Sequence, residues 1–238
     1  MRGKYVIYPL HLGTIVRPKI NMAYMKDPGT EEEYPIIAWY LTDGFHKIMV
    51  DTGGIPADGL HYLPYMQTPK QTMERSLRRI GVLPEEVTHV ISTHLHWDHI
   101  GSNHLFTNAE FFVQLVELQY AFAPLPIHKG GYNAAMIRET NYNTVHGDCD
   151  LLPGISLLST PGHSPGSQSV LIETKEEEYM ITGDCIALYE CYESEPMIPN
   201  GVHTDLIEYY NQMERIKRMK KKVLPGHDFK VFTQGCYQ

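Results

Sequence analysis

Short runs of apolar and β-branched residues, separated by turns rich in Gly, Pro and Asp, recur along most of the sequence. Such runs are typical of β-strands. We predict strands over residues 5–16, 36–41, 46–50, 87–93, 109–114, 151–160, 167–173, 178–182 and 223–224. Other segments place apolar residues at helical spacing, and we predict helices over residues 71–80, 116–122 and 205–222. Strands alternating with helices indicate an α/β fold whose sheets are covered by helices on the outside.

Three longer stretches show neither periodicity, and we predict loops over residues 56–69, 124–143 and 185–202. Long ordered loops frequently carry function. Aromatic and sulfur-containing side chains in or near these loops could line a pocket for a ring or an acyl chain, although ordinary packing explains each of them about equally well. These candidates are Met22, Tyr62, Met66, Trp97, Tyr132 and Met136.

The composition is that of an ordinary globular protein. With 238 residues, of which 42% are hydrophobic and 20% charged, the chain is predicted to form one domain over residues 1–238 with a substantial core. The formal net charge is -8. This balance disfavours nucleic acid as a partner, because binding to phosphates needs concentrated Lys and Arg. The one basic run, residues 217–222, falls in the last predicted helix and is interpreted as a solvated helix face.

The sequence also argues against a membrane partner. No stretch approaches the roughly 18 consecutive apolar residues that a membrane-spanning helix needs. The first residues lack the apolar core of a signal peptide, and the four cysteines form no C-x-x-C pair. These features predict a cytoplasmic protein with reduced thiols. The sequence leaves the oligomeric state open, and a homodimer is compatible with it.

The strongest chemical signal is the segment of residues 93–99, THLHWDH, which follows a predicted buried strand. His94 and His96 are two residues apart and can point the same way to share one metal. Asp98 and His99 follow as the chain turns and can reach a second metal. Imidazole nitrogen and carboxylate oxygen suit zinc and other divalent first-row ions. A solvated His-rich turn is the alternative, but we expect this combination after a buried strand to arise rarely by chance.

Three further residues of the same chemistry follow other predicted strands. His163, Asp184 and His227 are each preceded by a glycine, which lets the backbone turn sharply and direct a side chain toward a shared point. Each of them alone could be an ordinary turn or cap residue. Together with the His-rich segment they predict a metal site assembled from the ends of several strands.

These motifs resemble the metallo-β-lactamase superfamily, whose pattern is H-x-H-x-D-H followed by a distant His, Asp and His. The resemblance extends over nearly the whole chain. Within the superfamily the chain is most similar to the quorum-quenching N-acyl-homoserine lactonases, through residues 92–99 (STHLHWDH), 106–108 (FTN) and 160–169 (TPGHSPGSQS). The resemblance implies the αββα sandwich, in which two mixed sheets pack face to face with helices outside and the metals at one sheet edge.

The resemblance also implies two divalent metal ions, with zinc as the expected metal. One zinc would be held by His94, His96 and His163. The second would be held by Asp98, His99 and His227, with Asp184 bridging the two. A hydroxide bridging the metals, available because zinc lowers the pKa of water toward roughly 7, would attack a lactone carbonyl. Asp98 would carry the proton to the leaving oxygen.

One position departs from the lactonase pattern. The lactonases usually have a tyrosine three residues after the bridging aspartate, where its hydroxyl bonds the substrate carbonyl. Here that position is Ala187, and the nearest tyrosine is Tyr189. The sequence therefore leaves two options: Tyr189 acts as the catalytic donor, or the substrate differs from an acyl-homoserine lactone.

The main alternative is hydrolysis of another lactone, ester or thioester, as in pyridoxolactonase-like or glyoxalase II-like enzymes. A glyoxalase-type thioesterase would need basic residues for the glutathione carboxylates, and no such set is recognisable. Di-iron oxygen reductases usually have Glu where this chain has His96, which disfavours redox chemistry. The acidic net charge disfavours a tRNA-processing nuclease. Non-catalytic scaffold members usually lack some of the metal ligands, whereas this chain has all seven. A single D-T-G at Asp51 cannot supply the two carboxylates of an aspartic protease. We interpret Asp51 as a strand-end residue that supports a metal ligand.

Overall fold

Two β-sheets, each with parallel and antiparallel strands, form the centre of the molecule. The structure, a computed structural model, describes residues 3–56 and 64–238. Its strands are β1 Val6–Pro18, β2 Glu31–Thr42, β3 Lys47–Val50, β4 Tyr65–Met66, β5 His89–Ile91, β6 Glu110–Gln114, β7 Tyr142–Val145, β8 Cys149–Leu152, β9 Ile155–Ser159, β10 Gln168–Glu173, β11 Glu178–Ile181 and β12 Lys222–Leu224. The α-helices of the described residues are α1 Lys19–Met22, α2 Met73–Arg79, α3 Trp97–Ile100, α4 Leu115–Phe122, α5 Ala134–Arg138, α6 Tyr189–Glu193 and α7 Leu206–Met219.

The order of the strands brings several strand ends to one edge. The first sheet has the order β4-β1-β2-β3-β5-β6-β7, and the second has the order β12-β11-β10-β9-β8. Strands β3, β5, β6 and β7 run parallel, as do β11 and β12. Because parallel neighbours end at the same edge of a sheet, the residues after β3 and β5 lie close together. The residues after β11 and β12 do so for the same reason.

A core of apolar side chains fills the space between the two sheets. Trp39 of β2 and Val50 of β3 point into it from the first sheet, and Leu157 and Val170 point into it from the second. All four are nearly or completely buried. Removing such side chains from water contributes roughly 25 cal/mol per Å² of apolar surface, which holds the sheets face to face.

Helices cover the outer faces of both sheets. Helix α2 buries Met73 and Leu77 against the first sheet, and α7 buries Tyr209, Met213 and Ile216 against the second. These are the apolar positions whose helical spacing predicted the two helices. The layers are therefore helix, sheet, sheet and helix, which confirms the αββα sandwich expected from the sequence.

Some element predictions were wrong, for local reasons. The strand predicted over residues 151–160 is a hairpin, since Gly154 turns the chain with a φ of +81° between β8 and β9. The predicted loop at 124–143 contains α5, which is capped by the Asn133 side chain accepting from the backbone of Ala135 and Met136. The predicted loop at 185–202 contains the short helix α6.

The strand β7 was not predicted, because half of its residues are exposed and their polarity hides the pattern. Within the described ranges, no helix is long and apolar enough to cross a membrane. Tyr62, one of the candidates for lining a pocket, lies outside the described residues.

Candidate metal centre

The segment after β5 folds into a tight turn followed by the first turn of α3. His94 is completely buried, and the Nε2 atom of His94 lies 3.0 Å from the Nδ1 atom of His96. Asp98 and His99 belong to the first turn of α3, and both are buried. The turn thus presents all four side chains to the edge of the sheets, as the sequence predicted.

The three distant residues reach the same place from the second sheet. The Nε2 atom of His163 lies 3.0 Å from the Nδ1 atom of His96. Asp184 follows β11, and its Oδ1 atom lies 3.0 Å from the Nε2 atom of His227 and 3.3 Å from that of His99. Its Oδ2 atom lies 3.3 Å from the Nε2 atom of His163. Asp184 therefore lies between His163 on one side and His99 and His227 on the other.

The seven residues divide into overlapping groups that could each hold a cation. Within each group the candidate ligand atoms lie within 4.8 Å of one another. The groups are His94, His96 and His163; His94, His99 and Asp184; and Asp98, His99 and His227. The structure brings together every metal-ligand candidate that the sequence predicted.

Glycine is needed beside the cluster, partly for the reason expected. Gly162, before His163, has a φ of +135°, and a Cβ added there would lie 2.3 Å from the Cα atom of Tyr209. At Gly226, before His227, an added Cβ would lie 2.6 Å from the carbonyl oxygen of Gly183. The turn requires glycine at the first position, whereas at the second the requirement is the close approach of two backbones.

The histidines are oriented by hydrogen bonds on the ring nitrogen that faces away from the cluster. Four of them have an oxygen partner for Nδ1, which leaves Nε2 facing the cluster. The pairs are His94 with Thr93 Oγ1 (3.1 Å), His99 with Asp51 Oδ2 (2.8 Å), His163 with Val202 O (2.7 Å) and His227 with Pro35 O (2.9 Å). This is the arrangement that surrounds metal-ligating imidazoles in proteins.

Two polar atoms inside the cluster lack the hydrogen-bond partners that buried polar atoms normally have. Among the described residues, Nε2 of His99 and Oδ1 of Asp184 are buried without a hydrogen-bond partner. These two atoms are 3.3 Å apart, but they are not aligned as a hydrogen bond. Divalent cations would satisfy these atoms, and the set of imidazoles and carboxylates suits zinc-like ions. The residues present therefore fit a pair of metals.

Burial keeps the imidazoles of the three-histidine group, His94, His96 and His163, neutral. It lowers the pKa of His94 and His96 well below the usual value, and it also lowers the pKa of His163. A neutral imidazole has a free lone pair and is the form that binds metal. This group is therefore ready to receive a cation at neutral pH.

In the rest of the cluster, buried carboxylates and imidazoles carry opposite charges. Burial opposes ionisation of Asp184, but the imidazoles of His227, His163 and His99 hold its pKa well below the usual range. Burial likewise opposes protonation of His99, yet the carboxylates of Asp51, Asp98 and Asp184 raise its pKa well above the usual value. The carboxylates are thus negative and available to a cation.

Asp51 supports the cluster, as proposed from the sequence. Its carboxylate accepts from the backbone N–H of Thr93 (2.7 Å) and from the Thr93 hydroxyl (2.8 Å). The same carboxylate lies 2.8 Å from the Nδ1 atom of His99. Asp51 has a φ of +59°, an uncommon conformation for a residue other than glycine, and strain of this kind concentrates at functional sites. Asp51 thus fixes the segment that follows β5 and orients His99.

Glu117 of α4 was missed by the sequence analysis. Its side chain is completely buried and accepts from the backbone N–H groups of Leu95 (3.0 Å) and Gly166 (3.1 Å) and from the hydroxyl of Ser164 (2.6 Å). Leu95 lies between two candidate ligands, and Ser164 follows a third. Glu117 therefore ties together the two loops that carry the three-histidine group. A charged residue in a short amphipathic helix gives no sequence signal for this role.

A cavity of about 340 Å³ opens onto the cluster. Of the apolar residues expected to line a pocket, Met22, Trp97 and Tyr132 line it. Met66 is half-exposed on β4, and Met136 borders a separate depression, so the expectation was wrong for these two. The remaining wall is mixed: it includes the polar residues Arg17, Asn21, His128, Asn200 and Thr204 and the apolar residues Ile127 and Val202.

Tyr189 does not reach the cavity. Its hydroxyl donates to the carbonyl oxygen of Val223 in β12 at 3.1 Å, and its ring packs among the apolar residues between the sheets. Tyr189 is absent from the described residues that line the cavity. Because the first turn of α6 aims this side chain into the core, the structure contradicts its expected role as carbonyl donor.

We expect the change Tyr189→Phe to leave hydrolysis within about two-fold and both metals bound. The lost hydrogen bond to Val223 should lower the free energy of unfolding by about 1 kcal/mol. Turnover, metal content and thermal unfolding of the variant check this. A fall in turnover of tenfold or more with both metals retained would restore Tyr189 to the reaction.

Comparison with known proteins agrees with the geometry. Residues 27–227 match the metallo-beta-lactamase superfamily. The chain is 33% identical over 218 residues to the N-acyl homoserine lactonase AiiA of Bacillus thuringiensis subsp. kurstaki, covering 84% of each protein. It is 27% identical over 256 residues to the N-acyl homoserine lactonase AttM of Agrobacterium fabrum, covering 93% of this chain and 92% of the relative.

Solved structures show the same relationship. The chain superimposes with a TM-score of 0.85 and 29% identity on an N-acyl homoserine lactone hydrolase that has the product N-hexanoyl-L-homoserine bound at its catalytic metal centre, covering 98% of this chain and 96% of that one. The dizinc quorum-quenching lactonase AidC shares the fold, with a TM-score of 0.77 at 18% identity. The chain thus belongs to the metallo-beta-lactamase superfamily and, within it, to the N-acyl homoserine lactonases.

Proposed function

We propose that this protein is a metal-dependent hydrolase that opens the ring of a lactone, and that its substrate is an N-acyl-homoserine lactone. The observation that carries the proposal is the cluster of seven histidine and aspartate side chains at one sheet edge, which faces a cavity of about 340 Å³. The membership of the N-acyl homoserine lactonase family supports the choice of substrate.

In this proposal the cluster holds two divalent cations, with zinc as the native metal. His94, His96 and His163 hold one of them. Asp98, His99 and His227 would hold the other, and Asp184, which lies between the two sets, would be shared by both metals. The ligand chemistry supports zinc, because nitrogen donors outnumber oxygen donors and no thiolate is present among the seven.

The bound metals would supply Lewis acidity toward the ester carbonyl and an activated water at neutral pH. The protein's part is to hold the groups that bind and move protons. The carboxylate of Asp98 is buried at the cavity wall, and burial opposes its ionisation, yet the charges of His99 and Arg17 lower its pKa. A carboxylate oxygen of Asp98 that is free of metal can take a proton and deliver it to the leaving oxygen of the opened ring.

The lining of the cavity favours a second candidate, the hydrolysis of another lactone, ester or thioester at the same site. Ala187 is buried and offers no hydroxyl where the lactonases usually have a tyrosine, and Tyr189 does not replace it. Polar groups such as Arg17, Asn21 and Asn200 line part of the wall, where they could bind polar groups of a substrate. A short acyl group, or a more polar substrate, is compatible with this wall.

A hydrolysis screen with a pH indicator tests the proposal. It should span short and long N-acyl-homoserine lactones, aromatic lactones, simple esters and thioesters, with metal-free protein as the control. We expect lactones to be hydrolysed most efficiently, and short-chain N-acyl-homoserine lactones best among them. Turnover of esters or thioesters with none of the lactones would overturn the proposal and favour the second candidate.

Three further expectations from the sequence stay predictions. They are a single domain over residues 1–238, a cytoplasmic location and compatibility with a homodimer.

A further inference from the structure

Arg17 is a positively charged residue in the wall of the cavity that opens onto the metal-ligand cluster. It is the last residue but one of β1, paired with Glu32 of β2, and Pro18 follows it. A residue before proline is held in the extended region, so the backbone of Arg17 is fixed at this point. Its side chain is 17% exposed. Arg17 is thus a largely buried cation on a rigid strand, beside the proposed reaction site.

The guanidinium group of Arg17 has few of the partners that its burial calls for. Among the described residues, the guanidinium group contacts Asp98, whose Oδ2 atom lies 3.9 Å from the Nη2 atom of Arg17. That distance allows electrostatic attraction but is too long for a hydrogen bond. A guanidinium carries five N–H donors in a fixed planar arrangement and remains charged at any ordinary pH. As far as the described residues show, most of these donors are therefore free for another acceptor.

The other residues that line the cavity leave an acceptor atom of the ligand as the expected partner of Arg17. Among the described residues, the carboxylates that line the cavity are those of Asp98 and Asp184, and both belong to the cluster. When the cluster is loaded with cations, its charge favours negative or electron-rich ligand atoms. A ligand oxygen in this cavity would meet an Arg17 donor without competition from another acidic side chain.

We propose that Arg17 is a specificity-determining residue that binds an acceptor oxygen on the substituent of the lactone ring, outside the reacting ester. This inference rests on the proposed function of the site. The acceptor is a carbonyl or carboxylate oxygen, which the acyl amide of an N-acyl-homoserine lactone provides directly. Arg17 lies beside Asp98 in the cavity wall, so a substituent that it binds would lie along that part of the wall.

Lactones that differ in this acceptor test the inference. N-Butanoyl-L-homoserine lactone has an amide carbonyl on its ring substituent, α-butyl-γ-butyrolactone has only an alkyl chain at the same ring carbon, and N-succinyl-L-homoserine lactone adds a carboxylate to the amide. The change Arg17→Met should lower kcat/KM for N-butanoyl-L-homoserine lactone by roughly 10- to 100-fold, as expected for one charge-assisted hydrogen bond. The loss should fall mainly on KM. For α-butyl-γ-butyrolactone the rate should change by no more than about two-fold.

Two further variants separate charge, geometry and general damage. Arg17→Lys keeps the charge without the planar donor array, so it should fall between wild type and Arg17→Met. Arg75→Met makes the same substitution at an exposed position on α2 and should leave all the rates unchanged. All variants should retain both metals. If wild type prefers N-succinyl-L-homoserine lactone and Arg17→Met loses that preference, the acceptor is the carboxylate; without such a preference it is the amide.

Equal losses on N-butanoyl-L-homoserine lactone and α-butyl-γ-butyrolactone would overturn the inference, because Arg17 would then act on the reacting atoms or through Asp98. Unchanged kinetics, or loss of metal from Arg17→Met, would overturn it as well. These results leave the proposed function standing, since wild type would still hydrolyse lactones. Failure of wild type on all three lactones would instead overturn the proposed function, and this inference with it.

Discussion

The change Asp184→Ala is expected to remove at least one of the two metals and nearly all hydrolysis. The carboxylate of Asp184 lies 3.0 Å from His227 and 3.3 Å from both His99 and His163, so it lies between His163 on one side and His99 and His227 on the other. Removing it leaves cations close together without the negative charge between them. Loss of a residue that only supports a metal ligand typically costs 10- to 100-fold in metal affinity or activity, and losing a bridging ligand should cost more.

Metal content by elemental analysis and turnover on the best lactone from the screen check this expectation. A matched control is Asp150→Ala, which removes an exposed aspartate of β8 whose side chain accepts from the hydroxyl of Ser156. The control should keep both metals and full turnover. Asp184→Ala protein with unchanged metal stoichiometry and rate would show that Asp184 is not the bridge.

The second large effect is expected for Asp98→Asn, which should reduce turnover far more than metal content. The amide oxygen of Asn can still bind a cation in place of the carboxylate, but an amide cannot accept and return a proton at neutral pH. Positioned proton transfer contributes typically 10²- to 10⁴-fold to rate, so kcat should fall by about 10²-fold or more.

The comparison of kcat with metal occupancy, measured on the same preparation, decides the role of Asp98. Each preparation should be assayed with excess metal, so that weakened binding does not pass for slow chemistry. Equal losses of metal and of turnover would mean that Asp98 is only a ligand. Recovery of wild-type kcat at saturating metal would lead to the same conclusion.

The metal-ligand candidates could be predicted from the sequence because their chemistry is local. His94, His96, Asp98 and His99 are near neighbours in the chain, and a buried strand before them fixes where they emerge. The distant candidates follow strands whose apolar pattern is readable, so their convergence at one edge follows from the sheet order. The layered fold could be predicted for the same reason, since periodicity identified the helices that cover each sheet.

The supporting residues could not be predicted, because their role depends on contacts between distant segments. Glu117 is a single acidic residue in a short helix, and only the folded chain shows that it joins the loops of Leu95 and Ser164. The direction of Tyr189 depends on where α6 begins, which no sequence pattern marks. Arg17 resembles any polar residue near the end of a strand until the cavity wall is visible.

The central claim is that one cluster holding two metals performs lactone hydrolysis. The most direct test is to titrate metal-free protein with zinc while following hydrolysis of N-butanoyl-L-homoserine lactone. The account predicts negligible activity without metal, a maximum at two equivalents, and loss of activity on addition of a chelator. Hydrolysis by metal-free protein at the rate of the fully loaded enzyme, or a maximum reached at one equivalent, would contradict it.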